Sequence, residues 1–110
     1  MLRKFFLTSL ALGLSAAPAL ANDIPVYELI IKDKRFQPER LVIPADTKVK
    51  LLVHNQDATP EEFESHELNR EKVIVGNSSA TIYVGPLVAG EYPFFGEFNP
   101  DTAQGVLVVE

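Results

Sequence analysis

Short β-type runs, each stopped by a turn signal, follow one another from residue 27 to residue 109. This rhythm constrains the fold more than any other feature of the chain. Residues 27–32 form an apolar, β-branched run, and residues 40–43 form another between Pro38 and Pro44. Residues 48–53 alternate polar and apolar side chains, with Val49 and Leu51 on one face; residues 62–66 alternate again. Residues 73–75, 80–84, 91–95 and 105–109 complete the set. The breaks are Pro44-Ala45-Asp46, Asn55-Gln56-Asp57, Gly76-Asn77-Ser78, Gly85-Pro86 and Ala89-Gly90. Successive side chains of a strand point to opposite faces, so runs of this length and spacing predict an all-β sandwich or barrel. No long 3.6-residue apolar period competes with that reading. A single helical turn is the most that residues 68–72 suggest.

The N-terminus carries a different signal. Arg3 and Lys4 precede an apolar stretch over residues 5–17, and Ala19-Leu20-Ala21 is a small-x-small cleavage site. This is the layout of a secretory signal peptide, and the apolar run is too short to span a bilayer. Residues 1–21 are therefore expected to be cleaved, leaving residues 22–110 as one small domain in the periplasm with no membrane span after processing. The chain has 10 basic residues, two of them in this leader, against 15 acidic ones. Nucleic acid is a poor partner for such a surface, whereas metal ions and basic protein patches suit it. The compartment permits disulfides, yet there is no Cys, and the one Met is the initiator. Stability must come from packing, alone or with a metal.

The segment YPFFGEFNPDTAQGVLVV, residues 92–109, reads as strand, loop and strand. It resembles the last strand pair of cupredoxins, whose blue-copper members follow Y-x-F-x-C-x-x-H-P, then a Met, then G-x-L-x-V. Gly96 stands where the Cys would be, Asn99 where the His would be, and Ala103 or Gln104 near the Met. FQPERLVIPADTKVKLLVHNQD is similar to the cupredoxin opening, and SSATIYVGPLVAGEYPFF to the segment before the C-terminal ligand loop. The resemblance covers nearly all of residues 22–110 and implies an antiparallel Greek-key β-sandwich. TPEEFESHELNREKVIVG together with FFGEFNPDTAQG resembles the small periplasmic cupredoxin-like components of bacterial ferrous-iron uptake systems. That likeness implies binding of copper or iron, an oxidation step before transport, and partnership with a membrane iron permease and other periplasmic iron-uptake components.

Cupredoxins place their first His ligand in a His-Glu-Phe type triplet, and the matching triplet here is Glu61-Glu62-Phe63. Glu61 thus replaces the first ligand. With Phe63 pointing inward, Glu61 and Ser65 share its side, and Glu62, Glu64 and His66 share the other. Glu97 and Asp101 lie on the C-terminal loop, which the family fold brings near Glu61. The candidate metal residues are therefore Glu61, Glu62, Glu64, His66 and Glu97. Carboxylate and imidazole suit divalent copper, iron or manganese, while cuprous copper prefers sulfur. Fixed carboxylates also favour ferric over ferrous iron, although the electron still needs an acceptor.

The plain alternative is that Glu61, Glu62, Glu64 and Glu67 form a solvated acidic edge, neutralised by Arg70 and Lys72. The domain would then be a non-catalytic cupredoxin-fold interaction module with a lost metal site, docking through a Phe-rich loop. His54 has a hydrogen-bonding role in that reading. Hydrolase chemistry lacks support: there is no Cys nucleophile, no G-x-S-x-G and no convincing triad.

Overall fold

A computed structural model describes residues 23–110, and the expected signal peptide at residues 1–21 lies outside them. The described residues form strands β1 Val26–Lys32, β2 Arg35–Gln37, β3 Arg40–Ile43, β4 Val49–Asn55, β5 Glu61–Ser65, β6 Arg70–Ile74, β7 Ser78–Val84, β8 Gly90–Gly96 and β9 Gln104–Val109. They make two sheets, one in the order β3-β9-β8-β5-β6 and the other β2-β1-β4-β7. The sandwich agrees with the sequence rhythm, but the sheets are mixed rather than wholly antiparallel. β9 runs parallel to β3, and β1 parallel to β4. Parallel neighbours cannot be joined by a tight hairpin. Here the chain leaves one sheet and returns after visiting the other, which makes those pairs possible.

Inward-facing side chains repeat every second residue, as the pleat demands. On β4, Val49, Leu51, Val53 and Asn55 are all buried, while Lys50, Leu52 and His54 are partly exposed. Phe36 of one sheet meets Phe63 and Phe94 of the other. The ring centroids are 6.1, 4.9 and 4.9 Å apart; two of the contacts are edge-to-face and Phe63 stacks on Phe94. Each such pair adds about 0.5–1.5 kcal/mol beyond the area it buries.

Two local expectations change. Residues 68–72 hold no helical turn: residues 66–69 are a turn joining β5 to β6, and β6 begins at Arg70. Pairing of β6 with β5 satisfies the backbone better than an isolated helical turn, whose nucleation is unfavourable. The short β2 was not anticipated, because Phe36 is its only buried residue. It exists through a two-residue hairpin at Asp33-Lys34, whose φ values of 53° and 59° are those of a type I′ turn. The Asp57 carboxylate accepts the N–H groups of both turn residues, at 2.8 and 2.9 Å. Asn55 fixes the Asp57 loop in turn. Its Oδ1 accepts the Asp57 N–H, and its Nδ2 donates to the carbonyls of Thr59 and Ile74. No helix among the described residues is long and apolar enough to cross a membrane.

The candidate metal site at the loop end of the sandwich

The β4–β5 connection, the β1–β2 hairpin and the β8–β9 loop meet at one end of the sandwich. The Thr102 hydroxyl donates to the Lys34 carbonyl across this end at 2.6 Å. Glu61 opens β5 here. As the alternation predicts, Glu61, Phe63 and Ser65 are buried, at 1%, 0% and 2% exposure.

The Glu61 carboxyl points into the space beneath the β8–β9 loop. Oε1 accepts the Glu62 N–H and the Phe98 N–H, each at 2.9 Å. Oε2 accepts from the Asn99 amide at 2.8 Å. The side chain that replaces the first cupredoxin ligand is therefore bonded to the one that replaces a second. Gly96 completes the arrangement. A Cβ at that position would lie 2.6 Å from Glu61 Cδ and Oε2, and 2.7 Å from the Ala103 methyl.

These residues do not fit a copper ion at the interior position. Both Glu61 oxygens face N–H donors, Asn99 presents a donor rather than a lone pair, and Gly96 and Ala103 offer no ligand atom. A thiol at position 96 would collide with the carboxyl already there.

The outer face of the same strands is different. β5 and β6 pair so that Glu64 lies opposite Glu71 and Glu62 opposite Val73. One carboxyl oxygen from each of Glu62, Glu64 and Glu71 falls within 4.8 Å of the others. An ion with oxygen ligands at about 2.0–2.2 Å spans up to about 4.4 Å between opposite ligands, so small rotations of exposed side chains would close this set on one cation. The Glu62 carboxyl is pushed above its usual range. Partial desolvation is the leading cause, followed by repulsion from Glu64, Glu71, Glu97 and Glu61. Like charges directly across a strand pair destabilise it unless something compensates.

The bases expected to neutralise this face form no ion pair with it among the described residues. Arg70 donates to the carbonyls of Tyr83, Leu68 and Asn69. Lys72 is in register with the inward-facing Phe63, so it leaves β6 on the opposite face from Glu71.

The structure thus brings together Glu62 and Glu64 from the expected set and separates Glu61 from them. His66 lies beyond the end of β5 in the turn, its ring 5.7 Å from that of Phe95. It shares a surface groove with Glu64, Glu71, Asn69 and Arg70. Glu97 is exposed, its N–H donates to the Glu62 carbonyl at 2.9 Å, and its charge is felt at Glu62. Glu71 was missed because reading residues 68–72 as a helical turn hides the hairpin that sets it against Glu64. His54, on the outer face of the other sheet, bonds the Ser79 hydroxyl at 2.7 Å and approaches Glu28 at 3.3 Å.

Comparison with known proteins accords with this frame. A protein from Rickettsia prowazekii named only as uncharacterized, RP394, is 45% identical over 96 residues, covering 86% of this chain and 77% of its own length. Auracyanin A from Chloroflexus aurantiacus, a "blue" copper protein, superposes with a TM-score of 0.69 at 16% identity, over 80% of this chain and all of its own. The metal-binding domain of the Cu(I)-exporting P-type ATPase CopA of Streptococcus pneumoniae D39 gives 0.70 at 15% identity, over 81% of this chain and 88% of that one. Amicyanin from Paracoccus versutus gives 0.61 at 17% identity, over 81% and 83%. At these identities the solved structures share the fold alone. The cupredoxin-like domain family model matches residues 5–109, and the chain belongs to that family.

Proposed function

We propose that this chain is a periplasmic cupredoxin-like protein that binds divalent copper or iron on an outer carboxylate face and serves a bacterial iron-uptake system. The observation that carries the reading is the convergence of Glu62, Glu64 and Glu71 within 4.8 Å, with no ion pair from Arg70 or Lys72 to neutralise them. Oxygen ligands of this kind suit hard divalent cations, and their charge holds ferric iron more strongly than ferrous. Ferrous iron bound there would give up one electron more readily, to dioxygen or to a redox partner protein, before the ferric ion passes to a membrane permease. His66 and Glu97 flank the cluster, within reach as additional ligands through rotation of their exposed side chains. Copper-binding proteins among the structural neighbours support the assignment to metal handling.

The test is an equilibrium titration of metal-free protein with divalent copper, then ferrous iron, against a competing chelator. One-site binding weakened at least tenfold by Glu64→Gln and by Glu71→Gln is expected. Binding weaker than millimolar, or indifferent to both substitutions, refutes the reading.

A second reading has one observation in its favour. Phe98 sits at the loop tip with 49% of its surface exposed while its N–H is tied to Glu61. A rigid, exposed aromatic suits docking to a protein partner. Loss of partner capture by Phe98→Ala, with metal content unchanged, would favour that role.

A further inference from the structure

Glu61 is the one buried acidic side chain among the described residues, and the outer metal face does not use it. Two of its three hydrogen bonds tie the start of β5 to residues of the β8–β9 loop, 37 and 38 positions away in sequence. Within the loop, the Asn99 N–H donates to the Gly96 carbonyl, and the Asn99 carbonyl accepts from Thr102 and Ala103. Gly96 N–H donates to the Ala103 carbonyl at 2.8 Å, closing the base of the loop. Asn99 is therefore the internal hub of the loop, and its amide is what Glu61 holds.

We infer that the Glu61 carboxyl is the anchor of this loop, which needs no ion to hold its shape, and that the same carboxyl closes the interior to metal. The sequence cost is visible at Gly96, where no Cβ fits beside the carboxyl. Glu61, Gly96 and Asn99 form one coupled unit: acceptor, vacant space and donor. Metal chemistry is thereby confined to the outer face, and the loop bearing Glu97 and Phe98 keeps one conformation whether or not a cation is bound there. This inference stands whether or not the outer face binds metal.

The same geometry shows what would reopen the position. Asn99→Asp replaces the donor by a second acceptor, and the 2.8 Å now separating Asn99 Nδ2 from Glu61 Oε2 becomes an oxygen–oxygen distance. Two ligand oxygens about 2.8–3.2 Å apart are the span of adjacent ligands on an ion with bonds of about 2.1 Å. Glu61→Gln behaves differently. A flipped Asn99 carbonyl can accept from the new amide while Oε1 keeps its two N–H donors, so the lock survives in neutral form.

The experiment follows amide hydrogen exchange at Phe98 and the thermal midpoint, in chelator and again with divalent copper, for the wild type and three variants. The wild-type Phe98 amide is expected to be protected equally, within about twofold, in both conditions. Glu61→Ala should raise its exchange at least tenfold and lower the midpoint. Glu61→Gln should preserve protection and leave the copper affinity of the outer face within twofold of wild type. Asn99→Asp should melt lower in chelator and gain more from copper than the wild type, whose rise is only what binding at the outer face supplies. Tenfold loss of wild-type Phe98 protection on chelation would overturn the inference, as would loss of copper binding in Glu61→Gln. Glu61→Ala remaining as protected and as stable as wild type would do the same. Failure of the outer face to bind metal leaves the Glu61→Ala and chelator arms intact and so counts only against the proposed function.

Discussion

Replacing Gly96 by Ala isolates the crowding beneath the β8–β9 loop. The added methyl would stand 2.6 Å from the Glu61 carboxyl and 2.7 Å from the Ala103 methyl. Unstrained carbon contacts lie at about 3.5–4.0 Å, so each neighbour must retreat by about 1 Å. Neither can do so freely. Glu61 is held by three hydrogen bonds, and Ala103 is fully buried with its carbonyl bonded to the Gly96 N–H. Overpacking of this kind costs about 1–3 kcal/mol, and the bonds to Glu61 put Gly96 at the upper end. Gly96 lies in β8 without a left-handed φ, so Ala restricts the unfolded chain and returns about 0.4–1 kcal/mol. The net loss is about 2 kcal/mol, a fall of about 8–16 °C in the thermal midpoint of a domain this size. Urea and thermal unfolding measure it directly. The cause is separable by a double-mutant cycle with Glu61→Ala. With the carboxyl gone, more than half of the Gly96→Ala cost should vanish, a coupling of at least about 1 kcal/mol. A single variant within about 0.5 kcal/mol of wild type, or strictly additive effects in the cycle, would refute the assigned contact.

Four further outcomes follow from other parts of the fold. Glu71→Gln should raise stability by about 0.2–1 kcal/mol in chelator while weakening cation binding, because Glu64 faces Glu71 across the β5–β6 pair; unfolding and titration of the same sample test both. The Asp57 carboxyl is held below its usual range chiefly by the Lys34 N–H, helped by that of Asp33. Its contribution is therefore present above the unfolded value of 3.8 and is lost as pH falls through the lower folded value. Urea midpoints at descending pH should show that loss in wild type and not in Asp57→Asn. The Glu62 carboxyl is shifted the other way, so stability declines as pH rises from 4.5 through its higher folded value, and cation binding over that range should release a proton. Phe63→Ala should cost about 3–5 kcal/mol by calorimetry, since the ring is fully buried between Phe36 and Phe94.

Much of the architecture was legible because strand signals are local. A period of two tells which side chains share a face, and turn residues tell where a run stops. Glu61 could therefore be placed inward with Phe63 and Ser65, and Glu62 and Glu64 outward, from five consecutive residues. The β1–β2 hairpin escaped notice because its turn, Asp33-Lys34, is stabilised by a carboxylate from Asp57, 23 and 24 positions away.

What only the tertiary structure decided is partnership between distant segments. Local alternation says that Glu64 faces outward, but not that Glu71 stands opposite it; register is a property of two strands. Replacement of ligands by Glu61, Gly96 and Asn99 was visible as three separate substitutions. That they form one hydrogen-bonded, space-filling unit required β5 and β8 to be adjacent. Likewise the charge of Arg70 was countable, but its direction depended on carbonyls at Leu68, Asn69 and Tyr83 that the fold brings within reach. The sequence by itself determined the faces of the strands, because the pleat acts between neighbours in the chain. The site was decided by contacts between residues far apart in sequence, because a carboxyl group becomes an anchor or a ligand according to what the fold sets opposite it.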